Sequence, residues 1–227
     1  QMEVFDDGSG PALFVGGHFT DVGPTPASFI ARFDGTTWST VAGTGPGGIT
    51  GTVQQMQVHD DGSGEQLYML GGFSNAPHNT LIRWDGTTWS SAGTGPSNSF
   101  YWRLQSLPPS SGLPGGLYLL PLNQSNGDLI LRHWDGTVWT EHTMAMGYPV
   151  DAYALAVYDS GAGDELILGG LFPAATPGAT AQHIARWNGT GWQEIGEISG
   201  HGLETQFGSF DSRAGVVAVY DDGTGVG

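Results

Sequence analysis

Trp84-Asp85-Gly86-Thr87-Thr88-Trp89 is one of four copies of the same hexamer. The others are Phe33-Asp34-Gly35-Thr36-Thr37-Trp38, Trp134-Asp135-Gly136-Thr137-Val138-Trp139 and Trp187-Asn188-Gly189-Thr190-Gly191-Trp192. The closing Trp residues stand at 38, 89, 139 and 192, so the spacings are 51, 50 and 53 residues. A fixed period of this length marks a repeat architecture, in which one unit cannot bury its apolar faces alone and stacks on its neighbours. Inside the hexamer, Asp-Gly or Asn-Gly between apolar runs predicts a two-residue hairpin turn of type I′, which needs positive φ at both central residues. Phe29-Ile30-Ala31-Arg32-Phe33 and Thr36-Thr37-Trp38-Ser39-Thr40-Val41 are then the two arms of the first hairpin.

Two more anchors lie upstream in each period. Met2-Glu3-Val4-Phe5-Asp6-Asp7-Gly8-Ser9-Gly10 matches Met56-Gln57-Val58-His59-Asp60-Asp61-Gly62-Ser63-Gly64. Weaker copies follow at Ala156 to Gly161 and at Val217 to Gly225, the latter opening a fifth period. An apolar run closed by paired glycines then reads Leu13-Phe14-Val15-Gly16-Gly17, Tyr68-Met69-Leu70-Gly71-Gly72 and Ile167-Leu168-Gly169-Gly170. The third period has lost both signals, with Leu107-Pro108-Pro109-Ser110 and Leu117-Tyr118-Leu119-Leu120-Pro121-Leu122 in their places.

Each period therefore holds four short apolar segments rich in Val, Ile, Tyr, Phe and Trp, bounded by Gly, Asp, Asn and Pro, the pattern of strands and turns. No window carries helical periodicity over three turns. Two hairpins per period make a four-stranded antiparallel blade, and blades stacked around an axis make a β-propeller. The expected fold is all-β: four complete blades over residues 1–53, 54–102, 103–150 and 151–215, with one extra strand begun in 216–227. The repeated Trp residues are the expected filler between blades.

Paired Gly after an apolar strand, an aromatic-acid-turn hairpin and a Trp every fifty residues resemble the kelch type of β-propeller, and most closely the kelch-like repeats of bacterial secreted or surface proteins. The resemblance covers nearly the whole chain. It implies that each period begins with the innermost strand. Kelch rings generally have more blades than four, which implies that this chain is part of a larger ring completed by the rest of a longer chain or by other copies. It is nearly silent on activity, since propellers host enzymes, binders and scaffolds alike.

Composition narrows the function classes. The chain of 227 residues carries 22 acidic residues against six Arg, with no Lys, for a net charge of −16. So acidic a surface repels nucleic acid and anionic membranes. No window approaches the eighteen apolar residues of a membrane span, so membrane insertion is not expected. There is no Cys and hence no disulfide framework, thiolate metal site or cysteine nucleophile. Gln1-Met2-Glu3-Val4 lacks the basic start and apolar stretch of a signal peptide. Absence of Lys and Cys with abundant Gly, Thr and Ser points to an extracellular or cell-surface protein.

Candidate chemistry is sparse. Asp6, Asp7, Asp60, Asp61, Asp221 and Asp222 are weak calcium candidates, because hard cations want clustered oxygens. Asp and Gly are also good turn formers, and no distal Glu completes a calcium loop, so the turn reading is preferred and no cofactor is expected. Arg32, Arg83, Arg132 and Arg186 recur in the third strand and are expected to pair with a turn Asp or stack on a Trp rather than ring an anionic ligand. The His residues show no zinc spacing, and neither a nucleophile elbow nor a phosphate loop is present. Ligand contacts are expected on irregular loops, with His18, Asp21, His78, Tyr101, Trp102, Asn123 and His201 as candidates. The leading expectation is a non-enzymatic domain for protein binding, adhesion or scaffolding. The alternatives are a carbohydrate-binding, lectin-like propeller using loop aromatics, and a polysaccharide-active enzyme.

Overall fold

The computed structural model describes residues 1–77, 80–92, 102–108, 113–121, 123–124, 128–145, 150–159, 163–171 and 184–193. The chain is an all-β β-propeller, and the described residues contain no helix. Blade 1 consists of β1 (Met2–Asp6), β2 (Pro11–Gly16), β5 (Ile30–Phe33) and β6 (Trp38–Thr40), with a small hairpin, β3 (Asp21–Val22) and β4 (Thr25–Pro26), in the loop between β2 and β5. Blade 2 runs through β7 (Thr50–Asp60), β8 (Glu65–Ser74), β9 (Leu81–Trp84) and β10 (Trp89–Ser91). Blade 3 has β11 (Trp102–Leu107) and β12 (Gly116–Pro121), then β14 (Asp128–Trp134) and β15 (Trp139–Ala145). Between these pairs β13 (Asn123–Gln124) leaves to join the next sheet. Blade 4 orders β13 beside β16 (Val150–Asp159), β17 (Asp164–Leu171), β18 (Ile184–Trp187) and β19 (Trp192–Gln193). The neighbours in each sheet follow the sequence order expected of two successive hairpins.

The second strand of a blade is flanked on both sides, and its composition reflects that. Along β8, Gln66 to Gly71 are all buried, an uninterrupted run where a half-exposed strand would alternate. The paired glycines end β2 but lie inside β8 and β17, and in blade 1 they have a packing reason. A Cβ on Gly16 would lie 2.8 Å from Val53 Cγ1 and 2.9 Å from Met56 Sδ, so the glycine makes room for the first strand of the next blade.

The chain divides into two compact units. Gln1–Ser99 with Trp134–Trp139 form the first, and Phe100–His133 with Thr140–Gly227 the second. The core of the first gathers Phe5, Phe14, Phe29, Ile30, Met56, Leu67, Met69 and Trp84. The core of the second gathers Leu107, Tyr118, Leu120, Leu131, Leu166, Leu168, Trp187 and Trp192. Phe29, fully buried just ahead of β5, holds φ at 54°, a left-handed conformation rare for an aromatic residue. Its ring packs on Phe73 at 5.5 Å and on Trp89 at 6.2 Å, contacts that hold the strained backbone in place.

The four hexamers form hairpins, but not with type I′ geometry. Phe33 pairs directly with Trp38, leaving four residues between the arms, and only Gly35, at φ 98°, takes positive φ. The Asp is not a turn centre but a cap. Asp34 Oδ1 accepts from the backbone N–H of Thr36 and Thr37, both at 2.8 Å, and from the Thr36 hydroxyl at 2.7 Å. Asp34 Oδ2 accepts from the Thr37 hydroxyl at 2.9 Å. Asp85, Asp135 and Asn188 repeat the backbone part of the arrangement. A side-chain acceptor thus replaces the backbone carbonyl a type I′ turn would use, which removes the need for positive φ at Asp.

Across each cross-strand hairpin the two aromatics meet: Phe33 with Trp38 and Trp84 with Trp89 at 4.9 Å, Trp134 with Trp139 at 5.4 Å, Trp187 with Trp192 at 5.7 Å. The closing Trp of blades 2 and 3 also seals its blade to the one before it. Trp89 Nε1 donates to the Ala42 carbonyl at 2.7 Å and Trp139 Nε1 to the Ala92 carbonyl at 2.9 Å, both within the first unit. The expected inter-blade role of these residues is met by a hydrogen bond as well as by packing.

Candidate functional site

The acidic turns are closed by their own backbone. Asp6 Oδ1 accepts from the N–H of Gly8 at 2.9 Å and of Gly10 at 3.0 Å, and Asp60 Oδ1 repeats this with Gly62 and Gly64 at 2.8 and 3.0 Å. Asp7 accepts from the N–H and hydroxyl of Ser9, and Asp61 from those of Ser63. Donors that point at a carboxylate oxygen compete with a cation for it. Among the described residues no group of three or more His, Asp or Glu gathers as a metal site. Asp221 and Asp222 lie outside the described residues.

The recurring Arg residues each meet a carboxylate. Arg32 Nε is 3.0 Å from Asp7 Oδ2, and Arg83 Nη1 contacts Asp61 Oδ2 and, at 3.0 Å, the Tyr68 hydroxyl. Tyr68 in turn donates to Asp61 Oδ2 at 2.9 Å. Burial pushes the Tyr68 hydroxyl up to about 12, so it stays protonated and remains a donor. Burial also pushes the Asp61 carboxyl up, but hydrogen bonds from Ser63 and Tyr68 and the charge of Arg83 outweigh it and hold the group below its ordinary value. Where the second Asp of the turn is missing, the Arg finds another acid. Arg132 pairs with Glu141 across the hairpin at 2.6 Å, and Arg186 with Glu165 at 3.2 Å. The pairing with a turn Asp expected for all four thus holds in blades 1 and 2 and is replaced by a strand Glu in blades 3 and 4, because Pro109 and Ser160 carry no charge.

The loop candidates fall in two places. His18 and Asp21 are exposed on the loop between β2 and β5, where Asp21 Oδ2 accepts from the Thr20 hydroxyl at 2.9 Å. Trp102 opens β11 opposite Pro121, and Asn123, two residues on, pairs from β13 with Asp151. Both positions are therefore in strands, although irregular loops were expected there. His78, Tyr101 and His201 lie outside the described residues.

A site that the loop reading missed lies in the second unit. His142, Thr143, Trp187, Thr190, Gly191 and Trp192 line a cleft of about 350 Å³. The His142 ring stands 4.9 Å from that of Trp187. Burial, with a smaller contribution from His133, holds the His142 imidazole below its ordinary value, so it is neutral at pH 7. Trp192, 4% exposed, has an Nε1 that is buried with no hydrogen-bond partner among the described residues. The sequence does carry a signal here. Counting three residues from the closing Trp gives the buried apolar Val41 and Ala92 in blades 1 and 2, but His142 in blade 3.

Comparison with protein-family models, with curated proteins and with solved structures gave no match.

Proposed function

We propose that this chain is a non-enzymatic binding domain of a secreted or cell-surface protein, acting in protein binding, adhesion or scaffolding. One observation carries the reading: the charged and aromatic residues that recur with the repeat are engaged in its structure. The four Arg are paired with carboxylates, the hairpin Asp residues cap backbone N–H groups, and Trp89 and Trp139 seal blade to blade. What differs between repeats is the loops held by that frame, and loops on a rigid scaffold are where recognition concentrates. Kinship with kelch-like repeats and an extracellular setting belong to the same reading, supported by the repeat motifs and by a composition without Lys or Cys.

The test has two arms. Incubated with chromogenic glycosides, esters and polysaccharides, the intact chain is expected to release no product; turnover that disappears on Asp21→Asn or Glu165→Gln would sink the reading. Replacing residues 18–28 by a short Gly-Ser turn is expected to remove binding to a purified surface-protein partner while leaving the melting temperature of the chain nearly unchanged.

A further inference from the structure

We propose that the cleft between β15 and the β18–β19 hairpin is a subsite for one residue of a neutral saccharide. Among the described residues its lining is two indoles, an imidazole, two hydroxyls and a glycine, with no ionised side chain. At about 350 Å³ the cleft sits at the lower end of small-molecule sites, which run from roughly 300 to 1,000 Å³. A carbohydrate ring matches this lining, because it offers C–H groups to the electron-rich faces of aromatic rings and hydroxyls to polar groups. A purely apolar ligand would leave the indole N–H without a partner, and an anion would meet a chain of net charge −16.

The repeat itself supplies the second observation. Trp89 and Trp139 give their indole N–H to a carbonyl of the preceding blade, three or four residues past its own closing Trp. The equivalent carbonyl for Trp192 would belong to His142 or Thr143. There β15 continues as a strand to Ala145, six residues past its closing Trp, whereas β6 ends at Thr40 and β10 at Ser91. Among the described residues the seal is absent, the cleft lies beside Trp192, and a buried donor is left that an acceptor oxygen from a ligand would satisfy. A buried, unsatisfied donor costs about 1–3 kcal/mol, and a sugar hydroxyl seated there recovers part of it. Thr143 and Thr190 are exposed at the cleft; the Thr190 hydroxyl donates to Asn188 Oδ1 at 2.9 Å and keeps its lone pairs to accept from an outer sugar hydroxyl.

The inference shares with the proposed function only the idea of a binding domain, and the two fail separately. The intact, ¹⁵N-labelled chain is titrated with neutral tetrasaccharides of glucose, xylose, mannose and galactose, and the indole N–H resonances are followed, that of Trp192 being assigned by its loss in Trp192→Phe. The expected result is a saturable shift of the Trp192 resonance with at least one sugar. Trp192→Phe and Thr190→Val are expected to weaken that binding about tenfold, while Trp139→Phe leaves it unchanged. No saturable shift at Trp192 with any of the sugars up to about 20 mM overturns the subsite, as does binding that Trp192→Phe and Thr190→Val leave intact. The wild-type titration stands even where a variant fails to fold. Absence of sugar binding leaves the protein-binding reading untouched, whereas hydrolysis of a bound sugar would keep the subsite and remove the non-enzymatic reading.

Discussion

Gly86 lies against the backbone carbonyl of Asp7, so close that a Cβ at position 86 would stand 2.4 Å from that oxygen. The hairpin tip of one blade thus sits on the acidic turn of the blade before it. Gly136 repeats the contact against the Asp61 carbonyl at 2.8 Å. Both glycines hold positive φ, at 97° and 96°. Gly35 has nearly the same φ, 98°, but nothing within 4 Å of where its Cβ would be.

This pair separates backbone strain from blade docking. Gly35→Ala should cost about 1–2 kcal/mol, the penalty of a left-handed L-residue alone. Gly86→Ala should cost about 2 kcal/mol more, because the obstacle is backbone and cannot rotate away. Urea denaturation of the two variants reads the difference directly. Equal destabilisation would mean that the tip and turn do not bear on each other.

The Asp61–Tyr68–Arg83 group should behave unlike the ion pair in blade 3. The Asp61 side chain is 5% exposed, and its loss strands both an Arg charge and a phenol. Asp61→Ala is expected to cost about 3 kcal/mol. The partner of Arg132, Glu141, is 52% exposed, and Glu141→Ala is expected to cost less than about 1 kcal/mol. Chemical denaturation of both variants checks this, and a Glu141 effect as large as that of Asp61 would contradict it.

Acid should weaken the fold through the hairpin caps. Hydrogen bonds from Thr36 and Thr37 hold the Asp34 carboxyl far below its ordinary 3.8, and those from Thr88 and Thr87 do the same for Asp85. A carboxyl with a depressed folded value binds more protons when unfolded, so its stabilisation is complete above the unfolded value and is lost as pH falls below it. Melting temperature should therefore decline below about pH 4. Asn188 shows that Asn can serve the same cap without a charge. Asp34→Asn with Asp85→Asn should accordingly stay folded and melt with a shallower acid slope; an unchanged slope would assign the acid loss elsewhere.

Val138 is a place where the repeat can be improved. Thr37 and Thr88 donate their hydroxyls to the capping Asp, at 2.9 and 2.7 Å, and Val138 holds the same position with an apolar side chain 53% exposed. Val138→Thr is expected to raise stability by about 0.5 kcal/mol. A thermal melt that falls instead would show that Val138 is held by packing.

Much of the blade could be read from residue types alone, because turns and strand alternation are local. The hexamers closing at 38, 89, 139 and 192 mark the second hairpin of every blade, and each closing Trp is found facing its cross-strand aromatic. The turn class is not legible in the Asp-Gly dipeptide, because the Asp side chain can itself replace a backbone acceptor. That competition is decided by where the strands begin to pair, not by the dipeptide.

By itself the sequence determined the all-β repeat, its period, its four-strand blades and the structural role of Arg and Trp, since each is written four times in a pattern set by local geometry. The tertiary structure alone decided which acid each Arg meets, that Asn123 belongs to a strand of blade 4, and that a cleft opens beside Trp192. Those facts depend on contacts between residues 9 to 50 positions apart or more. No dipeptide encodes them, because the Arg pairs form only once the strands of a blade are paired, and the strand exchange and the cleft only once blade 3 is laid against blade 4.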